Sequence, residues 1–154
     1  MGDKADRSLV KAKKIVNSVI KDLGINPDDN VVEAVTGGYA WQIARGSADV
    51  IISLVPGVAE AAGRIRVVSP IVKMDKGVSQ ELAVKLLSLN GSELPGVSFG
   101  LIAGDVVTLI GERTIVQLDR EEVQEMLGLI GYYADKYDDL LVNEFGGTRV
   151  CDIG

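Results

Sequence analysis

The pentapeptide GVSFG, Gly96 to Gly100, has the G-x-S-x-G spacing that places a nucleophilic serine on a strand-to-helix turn in many hydrolases. A serine hydroxyl is a weak nucleophile until a neighbouring base takes its proton, and the usual base is histidine. This chain of 154 residues has no histidine. The motif must also join a strand to a helix, whereas Ser98 falls inside an extended run that leads into a hairpin. Ser98 therefore reads as a strand residue. Serine–lysine chemistry needs no histidine, and S-x-x-K occurs twice, as Ser8 with Lys11 and Ser18 with Lys21. Both pairs fall on or near the polar side of one amphipathic helix, with no S-D-N or K-T-G to complete a site. They read as a solvated face.

Phosphate-gripping glycines are missing as well. GVAEAAGR lacks the Lys-Ser/Thr pair of a phosphate loop, and no G-x-G-x-x-G is present. Carboxylates are numerous, but Asp135, Asp138, Asp139 and Glu144 do not follow a calcium-loop spacing. No catalytic, cofactor-binding or metal-ligating residue is expected. A net charge of −6 and an aromatic content of 5% argue against nucleic acid, which needs a cationic footprint and stacking platforms. Apolar residues are interrupted too often for a membrane span of about 20 residues. The single cysteine, Cys151, has no internal disulfide partner, which fits a reducing cytoplasm.

The elements that would position any site follow from hydrophobic period. SLVKAKKIVNSVIKDLG predicts a helix with Leu9, Ala12, Val16, Val19, Ile20 and Leu23 on one face and Gly24 as its stop. INPDDN favours a turn, and Val31–Val35 is open between a short strand and a turn of helix. The period then becomes two. Strands are expected at Tyr39–Arg45, Ala48–Val55 and Arg64–Lys73, with Gly46–Ser47 as a tight turn and Pro70 marking an edge, a bulge or a strand end. Ser79 caps a helix over Gln80–Leu89, stopped by Asn90–Gly91, with apolar residues on more than one stripe. Val97–Ala103 and Val106–Glu112 form a hairpin around Gly104–Asp105. Asp119 and Glu122 then open a last helix through a capping box.

The order is α-βββ-α-ββ-α, an α+β domain of two layers with an antiparallel sheet of about five strands. It spans residues 1–147, followed by a C-terminal tail at 148–154. Residues 1–23 carry a net +3 and residues 112–145 a net −6, so packing the first helix beside the last would relieve repulsion. In VIISLV and RIRVVSPIV both parities are apolar: Val50, Ile52 and Leu54 face one way, Ile51 and Val55 the other. A sheet with one wet face alternates more cleanly.

The runs WQIARGSADVIISLV, RIRVVSPIV, ELAVKLLSLN and SFGLIAGDVVTL, with a long acidic helix closing on FGG, resemble the YbjN family over about Tyr39 to Gly147. That family is similar in fold to the type III secretion chaperones: a twisted antiparallel sheet carrying helices, commonly dimeric. The resemblance implies a protein- or peptide-binding module, chaperone-like or a sensory transduction regulator, and it brings no catalytic residues.

The expected function is accordingly a non-enzymatic, cytoplasmic binding module for a protein or peptide client, acting as a homodimer. Leu82, Leu86 and Leu89 are the candidates for a helix-mediated dimer contact, and Trp41, Ile51, Val68 and Ile102 for a client-binding sheet face. The alternative is a small-molecule sensor in which Tyr39, Trp41 or Arg66 orients a polar group inside a pocket. Acid–base chemistry by Asp, Glu, Lys or Tyr ranks third.

Overall fold

The computed structural model describes residues 2–153, with side chains for residues 4–153; residues 1 and 154 of the expected domain and tail lie outside the described residues. The first helix, α1, runs Gly2–Asp22, six residues longer at its start than the amphipathic run beginning at Ser8 suggests. Leu9, Ala12, Val16, Val19 and Ile20 are buried along one face. Gly24 ends the helix at φ +78. Its N–H donates to Lys21 C=O and the Ile25 N–H to Ile20 C=O, the paired bonds of a Schellman stop. Leu23 falls past the last helical turn and is turned to solvent rather than to the core. INPDDN becomes a short 3-10 turn, Pro27–Asn30, in which the Asn26 side chain accepts from Asp28 N–H.

Three strands follow: β1 (Tyr39–Arg45), β2 (Ala48–Val55) and β3 (Arg64–Lys73). Arg45 pairs with Ala48 across the two-residue turn Gly46–Ser47, and Gly46 takes φ +60, the left-handed first position such a turn demands. Pro70 marks a bulge. The β3 register shifts between Pro70 and Val72, so Ile71 is the extra residue, and both Ile71 and Val72 reach the core.

Helix α2 (Gln80–Ser92) starts as expected, with Ser79 Oγ accepting from Leu82 N–H at 3.1 Å. It does not stop at Asn90–Gly91 but continues to Ser92. The Asn90 side chain is committed elsewhere: it accepts from Phe99 N–H at 2.7 Å and donates to Phe99 C=O at 3.2 Å. Strand β4 is short, Ser98–Ile102, and β5 runs Val106–Thr114. Ile102 pairs with Val106, so the loop has three residues rather than two, with Ala103 at φ +55 and Gly104 at φ +80.

The last helix, α3 (Arg120–Phe145), opens on the capping box: Asp119 Oδ1 accepts from Glu122 N–H, and Glu122 Oε2 accepts from Asp119 N–H. Part of the expected tail is ordered as a two-residue strand, β6 (Thr148–Arg149), which pairs with Val72 and Lys73 of β3.

Among the described residues the sheet has six strands, all pairings antiparallel, in the order β1-β2-β3-β5-β4 with β6 on β3. The architecture is the expected α+β arrangement of helices on an antiparallel sheet. Trp41, Ile43, Val50, Ile52, Leu54, Ile65 and Val67 of the sheet share one apolar cluster with the buried side chains of α1, α2 and α3. α1 does lie against α3, and an ionic contact among the described residues joins Arg120 of α3 to Asp22 of α1, with the charges the reverse of the pairing expected.

Candidate functional site: the outer sheet face and the β1 edge

Directly opposed residues of antiparallel strands point to the same face, so the registers sort every candidate. Gln42 opposes Ile51, Ile51 opposes Val68, Val68 opposes Ile110 and Ile110 opposes Ser98. This row crosses β1, β2, β3, β5 and β4 on the face turned away from the helices. Val68 is only 8% exposed yet stands outside the core cluster, and Ile51 and Ile110 are half-buried. A Cβ on Gly100 would lie 2.7 Å from Ile110 Cδ1, so the absent side chain is what lets Ile110 lean across β4. Ile102 belongs to the same face, through Val106 and Lys73, and is 39% exposed. One side of the row is polar: Arg64 Nε meets Glu112 Oε1 at 2.9 Å, and Arg66 Nη1 meets Glu112 Oε2 at 3.6 Å.

Ile51, Val68 and Ile102 are therefore brought together, and Trp41 is not. Trp41 opposes Ile52 and is 1% exposed inside the helix-covered core. The two-residue turn already carried that signal. Pairing Arg45 with Ala48 and counting back places Trp41 opposite Ile52, not Ile51. The α2 leucines are also interior: Leu82, Leu86 and Leu89 are buried in their own subunit's core. The apolar residues that α2 shows to solvent are Val84 and Leu87, at 56% and 70% exposure. Periodicity alone did not separate them, because α2 is apolar on both sides.

One edge of the sheet is open. Arg45 and Ala48 form the closing pair of a two-residue hairpin and bond to each other, so the outward-pointing N–H and C=O groups of β1 belong to Ala40, Gln42 and Ala44. The bond from Val32 N–H to Ala40 C=O, 3.0 Å, confirms that alternation. Beyond the isolated bridge between Val31 and Trp41 and the 3-10 turn Pro27–Asn30 that lies against β1, no strand among the described residues pairs with β1 toward Ala44. At the other edge, β4 has its Phe99 groups taken by the Asn90 amide, which stands in for a neighbouring peptide unit.

The polar clusters serve the fold. Ser47 Oγ donates to Asp135 Oδ1 at 2.6 Å and lies 3.5 Å from Asp138 Oδ2. Asp138 is 6% exposed, and burial holds its carboxyl above the usual aspartate range, against the lowering effect of the Asp139 N–H. Arg149 bridges Asp139 and Asp152 and ties β6 to α3. The Cys151 thiol is held above its ordinary value, first by desolvation of the sulfur and then by Asp152. Tyr137 is pushed up to about 12 by burial and by its 2.7 Å hydrogen bond to Glu93. Arg113 beside Glu122 holds that carboxyl below its usual value. Ser98 stands exposed on β4 opposite Ile110.

The sensor residues do not converge either. Lys13 Nζ sits 4.5 Å over the Tyr39 ring, Trp41 is core, and Arg66 faces Glu112. A hollow of about 420 Å³ lies instead along α1, open to solvent and lined by Asp6, Arg7, Val10, Lys11 and Lys14.

Over residues 13–153 the sequence matches the family described as T3SS (YopN, CesT) and YbjN peptide-binding chaperone 1. The chain belongs to that family. Its role is that of a peptide-binding, chaperone-like module, and its class of partner is a protein or peptide. Among solved structures, a chain in the crystal structure of the ExsC-ExsE complex is similar at TM-score 0.59 and 18% identity, over 86% of this chain and 95% of that one. A chain of the HopA1-SchA chaperone-effector complex is similar at TM-score 0.56 and 12% identity, over 86% and 97%. At those identities the likeness is one of fold. No curated protein matches the chain. No described helix is long and apolar enough to cross a membrane.

Proposed function

We propose that this protein is a non-enzymatic, cytoplasmic chaperone that holds an extended segment of a protein client. The client's backbone completes the open β1 edge, and its continuing chain lies across the row of Ile51, Val68 and Ile110 toward Ile102. The observation that carries this reading is the pairing of an uncovered apolar sheet face with an unfilled strand edge in a family of peptide-binding chaperones. Main-chain bonds to an edge supply affinity for any extended sequence, while apolar contacts select which segments stay. The clusters around Ser47, Asp138, Arg149, Tyr137 and Glu122 support the non-enzymatic part, since their side chains tie elements together.

A second copy of the chain is the proposed occupant of the outer side of α2. Leu82, Leu86 and Leu89 seat the helix from within, and Val84 and Leu87 meet the partner. Ser88 and Ser92 turn their hydroxyls back to Val84 C=O and Ser88 C=O, which leaves that side of the helix free of competing hydrogen-bond demands.

The experiment is fluorescence anisotropy with a labelled peptide of alternating valine and threonine, titrated with wild type and with Ile51→Asp. The charge placed in the apolar row weakens binding about tenfold, the scale of one lost apolar anchor. Equal affinity in a variant with native circular dichroism overturns the reading. Light scattering on the same samples gives a dimer mass; a monomer removes the α2 contact.

A further inference from the structure

The segment Val31–Val35, VVEAV, connects the 3-10 turn to β1 and forms no strand of its own. Three of its five residues are valine, whose β-branched side chains favour extended, paired backbone. Val31 already has extended geometry, φ −68 and ψ 133. The segment nevertheless touches the sheet at one place only, the bridge of Val31 to Trp41 with the 3.0 Å bond from Val32 N–H to Ala40 C=O. No side chain from residue 31 to 37 is buried, and Val31 and Val35 are 60% and 57% exposed. None of the three valines packs against the core cluster. A strand-forming sequence thus rests on an edge strand while burying almost nothing.

We infer that Val31–Val35 is an internal placeholder, a strap that occupies the Ala40–Trp41 end of the β1 edge in the empty protein and gives way when a client strand extends from Ala44 toward Tyr39. The inference rests on the reading that clients add to the β1 edge. Strands lie about 4.8 Å apart, so that position on the edge accommodates one chain at a time. A client confined to Gln42–Ala44 reaches few outward groups. One that displaces the strap also gains the Ala40 carbonyl and the length beside Trp41. Docking of the strap lowers the apparent client affinity by the fraction of molecules in which the edge is closed. The strap therefore favours clients with long extended segments over short ones.

Val32→Pro removes the N–H that holds the strap, and the extended backbone of Val31 suits a residue before proline. Val32→Ala keeps the N–H. Ala44→Pro removes an outward N–H at the open end, where an edge strand tolerates proline. The probe is the labelled valine–threonine peptide. Val32→Pro binds it about three- to tenfold more tightly, the worth of one hydrogen bond no longer in competition. Val32→Ala binds like wild type, and Ala44→Pro binds about tenfold more weakly. If Ala44→Pro weakens binding but Val32→Pro leaves it unchanged or weaker, the strap is overturned and edge binding stands. If Ala44→Pro has no effect, edge binding and the strap fall together. Amide exchange on the wild type decides the matter should Val32→Pro not fold: saturating peptide speeds exchange at Val32, and continued protection there overturns the inference.

Discussion

Ser47 Oγ carries one proton and faces two carboxylates, Asp135 and Asp138, and it gives that proton to Asp135. Asp138 keeps the Asp139 N–H as its hydrogen-bond donor and pays a desolvation cost that raises its pKa. The groups around it are Asp135, Asp139, Arg149, Ser47 and Cys151. An acid whose pKa is higher folded than unfolded binds its proton more tightly in the folded state. Its penalty on stability is therefore complete above the folded pKa and is relieved as pH falls through it. Asp138→Asn removes that penalty: the amide still accepts from Asp139 N–H and can donate toward Ser47. Thermal midpoints should rise at pH 7 relative to wild type, with the gain shrinking as the medium is acidified through the raised carboxylate range. A gain that is constant with pH contradicts the assignment. None of this was legible beforehand, because the acids of α3 read only as a like-charged run and their partners lie on a distant hairpin and on the chain's last residues.

Elements were readable where local chemistry decides them. β1, β2 and β3 fall where the period of two and the punctuation by Gly46–Ser47 and Pro70 place them, and the Asp119–Glu122 box fixes the start of α3. One expected helix stop is misplaced, and one segment stays open on sequence alone. Asn90–Gly91 has the composition of a helix stop, but β4 recruits the Asn90 amide, and α2 runs on beneath it. Val31–Val35 has strand composition but a single bridge. At Asn90 tertiary demand overrode local preference. The Asn90 amide is thus predicted to hold α2 and β4 together. Asn90→Ala leaves Phe99 N–H and C=O without that partner and costs about 1–3 kcal/mol, measured by urea unfolding with an unchanged m-value. A loss under about 0.5 kcal/mol, the scatter of ordinary surface changes, contradicts it.

At the scale of the whole molecule, apolar surplus on both sheet parities foretold two faces in need of cover, and the structure covers one. The helices close over Trp41, Ile52 and Val67, while Ile51, Val68 and Ile110 stay on the side without a helix. Register and burial changed the meaning of one client-face residue and of the whole dimer set: Trp41 moved to the core, and the α2 leucines turned inward. What stayed in place is the outer row and, beside it, a strand edge that only a three-dimensional view of hydrogen-bond direction reveals. Amide hydrogen exchange with and without saturating extended peptide tests this most directly. The account predicts that exchange slows at Ala44 by about tenfold or more, as an edge amide gains a main-chain partner, while the exposed side of α3 is unchanged. Unaltered exchange at Ala44, with protection arising on α1 or α3 instead, would contradict it.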